Sequence, residues 1–151
     1  MSVVPFRGSR SSKLKSGLGV VRGFPPTITL DAFAKGYVDC ALWESYDGTG
    51  RALGLDFAIA DIAASSLRRM AQDCTSFQSA NRQDLIASYG LHYRQTDAGR
   101  DFWLSRNRRQ GGFGSRPMIP ERVRANLTQA AQAWTGYVLV IGPGRSLLGP
   151  D

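Results

Sequence analysis

Residues 65–90 read SSLRRMAQDCTSFQSANRQDLIASYG, and in them Leu67, Met70, Ala71, Cys74, Phe77, Leu85 and Tyr89 recur at helical spacing. That spacing gathers the apolar side chains on one face of an α-helix, so the fold is expected to rest on helices packed around a shared core. Ser65 or Ser66 is placed to cap the start and Gly90 to cap the end. Polar Asn81 interrupts the stripe midway. One long helix is the favoured reading, with two shorter helices as the alternative.

Upstream, TLDAFAKGYVDCALWESYDG (29–48) repeats the pattern with Leu30, Phe33, Ala34, Tyr37, Val38, Ala41 and Leu42. Thr29 or Asp31 is a start signal and Asp47-Gly48 a stop, giving a helix of about four turns despite the cost of Gly36. A loop, 47–64, joins the two. Downstream, Thr96 or Asp97 opens a short helix through Asn107, with Phe102 and Trp103 facing the core or its rim and the following glycines ending it. Pro120 and Glu121 suit the first turn of a further helix that buries Val123, Leu127, Ala130, Ala131 and Trp134. The last segment, YVLVIGPGRSLL (137–148), pairs a β-branched run with a Gly-Pro-Gly turn and a second apolar run, a hairpin pattern. The expected class is α+β, mainly α: four or five helices with a small C-terminal antiparallel β-hairpin, forming a single globular mainly helical domain over 27–151.

A chain of 151 residues, 42% hydrophobic and 21% charged, is long enough to bury a proper core without disulfides or metal. Its longest apolar run is far too short to span a bilayer, and no secretory signal pattern opens it, so no membrane role and a cytoplasmic setting are expected. Cys40 and Cys74 fall on apolar helix faces and read as reduced, buried thiols. The net charge of +7 is uneven. Arg7, Arg10, Lys13, Lys15 and Arg22 stand in a Gly- and Ser-rich stretch without acids, read as a flexible basic arm over residues 1–26.

Several chemistries lack their residues. His92 is the only histidine and the two cysteines lie far apart, which argues against zinc. The glycine patterns GTGRALG and GLGVVRG are one residue too long for a dinucleotide fingerprint, no P-loop occurs, and no nucleophile elbow accompanies His92. Glu44, Asp47, Asp56 and Asp61 in and beside the first long loop read as solvating and capping groups before they read as an acid/base or magnesium site. No cofactor and no enzymatic activity are expected.

The segment DFWLSRNRRQGGFGSRP (101–117) stands out. Arg106, Arg108, Arg109, Arg116, Arg122 and Arg124 crowd into 19 positions against the single acid Glu121. Helix-terminus electrostatics accounts for one or two of them, not for six. A guanidinium surface beside Trp103 and Phe113 has the ingredients for phosphate contact and base stacking, so nucleic acid is the expected partner. The competing readings are a solvated face and arginines lying as lids over core aromatics.

DFWLSRN, with DAFAKGYVDCALWES and AQDCTSFQSAN before it, resembles a group of small proteins of tailed phages and prophages that share an Asp-Phe-Trp-Leu-Thr/Ser-Arg-Asn motif. The resemblance covers roughly residues 29–148. It implies a phage setting, in the host cytoplasm or associated with the virion, and supplies no mechanism because the group has no established activity. Where that group has Gly-His-Gly, this chain has Arg108, Arg109 and Gln110. Asp101 and Asn107 are read as structural, an ion pair or cap holding the following glycine loop. The expected function is a non-enzymatic phage-encoded accessory protein that binds nucleic acid through the arginine patch and the arm. The alternative is a protein-interaction module, an inhibitor of a host protein or a minor virion component, meeting an acidic host or phage protein.

Overall fold

A computed structural model of the chain describes residues 2–4 and 28–150. In chain order the elements are β1 (Ser2–Val4), β2 (Ile28–Leu30), α1 (Ala32–Glu44), α2 (Ala64–Ala80), α3 (Arg82–Ser88), α4 (Gln95–Arg106), α5 (Glu121–Gln132), β3 (Val140–Ile141) and β4 (Leu147–Leu148). The protein is mainly α with a small antiparallel hairpin at its C-terminal end, Val140 opposite Leu148 and Ile141 opposite Leu147. A second antiparallel pair sets Ser2 opposite Leu30 and Val4 opposite Ile28. Of the basic arm read over 1–26, only β1 is thus described; the rest lies outside the described residues.

Helix α1 starts where Asp31, one of the two start signals expected, accepts a 2.8 Å bond from the Ala34 N–H. It ends at Glu44, before the expected stop: Ser45 leaves the helix, and Asp47 organises the turn beyond. The 65–90 stretch is two helices, so the single long helix is corrected. Asn81 takes φ −120°, and both its backbone N–H (3.0 Å) and its side-chain amide (2.9 Å) donate to the Phe77 carbonyl. One acceptor engaged twice ends α2 and lets α3 leave at a new angle. Neither expected cap forms: Ala63 precedes α2, Ser66 accepts from the Gly149 N–H, and Gly90 bridges to Tyr93 after α3 has closed at Tyr89.

The core is one cluster in which Phe33, Phe77, Phe102 and Phe113 lie ring to ring, Phe77 and Phe102 only 4.0 Å between centroids. Helices α1 and α4 cross at backbone contact. A Cβ on Gly36 would overlap the Thr96 carbonyl, and one on Gly99 the Phe33 carbonyl. Gly36 therefore answers a packing demand that its helix-propensity cost conceals. Cys40 and Cys74 are buried free thiols; burial pushes Cys40 up to about 12 and Cys74 well above the ordinary thiol value.

Candidate functional site

The seven residues from Asp101 to Asn107 form the last two turns of α4 and its cap, and all but Asn107 are buried. Each polar member ties down a different part of the chain. Asp101, fully buried, accepts from the Tyr93 hydroxyl at 2.6 Å and takes a two-point bond from Arg116 at 2.8 and 3.0 Å. That ion pair closes the 107–116 loop and raises the Arg116 pKa further. Ser105 Oγ accepts from the Phe113 N–H. Asn107 does not reach the glycine loop as expected: its amide brackets Tyr137, accepting from the Tyr137 N–H at 2.8 Å, and donates to the Trp103 carbonyl.

Arg106 is 3% exposed. Its Nη1 donates to Asp73 at 2.8 Å and to the Tyr37 hydroxyl at 2.9 Å, and its Nε to the Thr135 carbonyl at 2.6 Å. The rings of Trp134 and Tyr137 lie 5.1 Å from the guanidinium carbon. Arg109 donates to the Glu44 carbonyl, sits 3.8 Å from the Glu44 carboxylate and covers Trp103 at 5.2 Å. Three of the six arginines are thus tied individually to carboxylates, and no single cationic face contains all six.

The aromatic candidates are likewise relocated. Trp103 and Phe113 have no exposed surface, Phe113 stacking on Phe77, so neither is available to a base in this conformation. Arg109 over Trp103 is the cation lid that competed with the stacking reading.

Arg108, Arg122 and Arg124 remain. Arg108 is exposed with φ +56°, the left-handed position just past α4; its N–H bonds the Ser105 carbonyl while the Arg109 N–H bonds that of Leu104 at 2.8 Å. These two bonds make a Schellman cap, a place glycine fills at lower cost. The Arg108 side chain makes one long bond, 3.4 Å, to the Gln132 carbonyl at the far end of α5. Arg122 is exposed and Arg124 half-buried, and no carboxylate among the described residues bonds either.

Along α5 a groove of about 450 Å³ is lined by Glu121, Arg124, Thr128, Gln129 and Gln132, with Gly114 on the facing turn 113–115. Arg124 Nε and Thr128 Oγ1 are covered there without a protein partner. The sequence reading missed this groove, although Glu121, Arg124, Thr128, Gln129 and Gln132 recur at helical spacing as a polar stripe beside the apolar one.

The loop carboxylates are each engaged locally. Asp47 accepts from the Thr49 hydroxyl and the Arg51 and Thr49 N–H groups, bonds that lower its pKa; Asp56 pairs with Arg51; Asp61 accepts from the Ala58 N–H. No cluster of three or more metal-ligating side chains occurs among the described residues, and His92 is exposed. No described helix is long and apolar enough to cross a membrane. Comparison with protein-family models, curated proteins and solved structures gives no match.

Proposed function

We propose that the chain is a non-enzymatic accessory protein, of the phage setting its Asp101–Asn107 motif implies, that binds nucleic acid along α5 through Arg108, Arg122 and Arg124. The basic residues at positions 7–22 add charge to the same encounter. One observation carries this reading. Arg108 occupies a left-handed backbone position at which a non-glycine residue costs about 1 kcal/mol, yet its side chain makes only the 3.4 Å bond to Gln132. Arg145, also at positive φ, lies 4.8 Å over the Phe57 ring. The fold returns little for Arg108, which favours a contact made outside the chain.

From Arg122 to Gln132, where Arg108 is hooked, α5 runs about 15 Å, enough for cations to meet several phosphates of one strand. Exposed Trp43, Tyr46, Val138 and Val140, brought alongside by the bond from the Leu139 N–H to Ser45 Oγ, favour the second reading, a protein partner. Fluorescence anisotropy with a labelled oligonucleotide, single-stranded and duplex, separates them. Binding at low salt that weakens with added salt and falls in Arg108→Glu/Arg122→Glu is expected; undiminished binding in that double variant rejects the surface.

A further inference from the structure

We infer that the groove between α5 and the 113–115 turn seats one phosphate group of a bound nucleic-acid strand, with Arg124 and Thr128 as its ligands. This assignment rests on the nucleic-acid reading above and specifies where on that surface the backbone enters.

The chemistry of the walls selects the ligand. Arg124, Thr128, Gln129 and Gln132 present a guanidinium, a hydroxyl and two primary amides, so donors outnumber acceptors and a group with several acceptor oxygens fits. The one carboxylate, Glu121, stands three residues, just under one helical turn, before Arg124 and nearly two turns before Thr128, so an anion is directed toward the Thr128–Gln132 half. Arg124 differs from Arg106, Arg109 and Arg116 in having no bond to surrender: no described acceptor holds its guanidinium, and its Nε–H is covered but unpaired. Thr128 Oγ1 is in the same condition. Covered polar groups without partners are unfavourable, so a small rotation of either side chain onto an entering oxyanion replaces a deficit with charge-assisted bonds.

Residue 114 borders the groove without a side chain. A Cβ on Gly114 would stand 3.6 Å from Thr128 Oγ1, ordinary contact, and Gly114 does not take a positive φ. A larger residue there is accommodated by the backbone and fills the phosphate position without altering charge.

That neutral plug is the test. Gly114→Leu, Thr128→Val and Arg124→Lys are compared with the wild type, using anisotropy of a labelled ten-nucleotide thymidine strand, with thermal melting as a check on folding. Each variant is expected to lose about tenfold in affinity, the scale of one charge-assisted hydrogen bond, while melting with the wild type. Arg124→Lys keeps the charge and removes the Nε–H, so wild-type affinity in that variant reduces Arg124 to a general cation and overturns the site. Wild-type affinity in Gly114→Leu, alongside loss in Arg108→Glu/Arg122→Glu, overturns the groove and leaves the nucleic-acid reading standing. No binding of the strand by the wild-type protein removes both. Should Gly114→Leu melt early, the Arg124 Nε–H resonance in the wild type decides: it shifts with the thymidine strand if the site is right and stays fixed if it is wrong.

Discussion

Two groups of three arginines, drawn from one run of sequence, end in opposite surroundings. Arg106, Arg109 and Arg116 meet Asp73, Glu44 and Asp101 and lie against Trp134, Trp103 and Tyr93. Arg108, Arg122 and Arg124, interleaved with them, meet no carboxylate among the described residues and border α5. Residue type and local density are the same in both groups. What differs is whether folding brings an acid from elsewhere, Asp73 from α2 or Glu44 from the end of α1. A cationic cluster in sequence is thus raw material that tertiary structure divides.

The largest expected effect breaks the internal half. Asp73→Ala strands Arg106 in the core with a charge that Tyr37 and the Thr135 carbonyl do not neutralise, at a cost of about 3–5 kcal/mol. Urea denaturation reads it; a loss under 1 kcal/mol would make Arg106 no more structural than Arg122. Next, Gly99→Ala forces α1 and α4 apart and costs about 2–3 kcal/mol, because its Cβ lands on the Phe33 carbonyl. The same denaturation series checks it, and a neutral outcome would refute the backbone-contact crossing.

Alkaline pH sharpens the picture of a dry core beneath the internal arginines. Burial raises Cys40, Cys74, Tyr37 and Tyr93 above their ordinary values of 9.0 for thiols and 10.0 for phenols. Groups whose folded pKa is raised contribute stability below the unfolded value and lose it as pH climbs toward the folded one. Between pH 8 and 9.5 roughly 1–2 kcal/mol should disappear, chiefly through the thiols, with no thiol reagent reacting at pH 8 until the chain unfolds. A flat profile, or prompt modification of the native protein, would contradict this. The smallest effect has the opposite sign: Arg108→Gly should gain about 0.5–1 kcal/mol by relieving the left-handed arginine while weakening oligonucleotide binding. Gain in melting temperature without loss of binding would leave Arg108 unexplained.

Much of the fold was legible. The three- and four-residue steps located α1, α2 and α5, start and stop signals located α4, Thr29 or Asp31 marked the start of α1, and the 137–148 run marked the hairpin. Phe102 and Trp103, expected toward the core or its rim, are both in the core. Less legible was whatever depends on a distant partner. Asn81 already stood out as a polar break in its stripe, whereas Gly36 looks like a flaw until Thr96 arrives beside it, and the pairing of β1 with β2 spans more than twenty positions. At the site, local sequence supplied six arginines and could not subtract three. Nor did it expose the α5 groove, whose hydroxyl and amides carry no charge to draw notice.

Three arginines are held by carboxylates inside the fold, and the proposed polyanion contact falls to the three that are not. The salt dependence of oligonucleotide affinity measures it most directly, with wild type compared against Arg108→Gln/Arg122→Gln/Arg124→Gln. Removing these three should lower the slope of log K against log salt by about 2 for a single strand, with the melting temperature not reduced. An unchanged slope, or protein that unfolds as Asp73→Ala should, would contradict it.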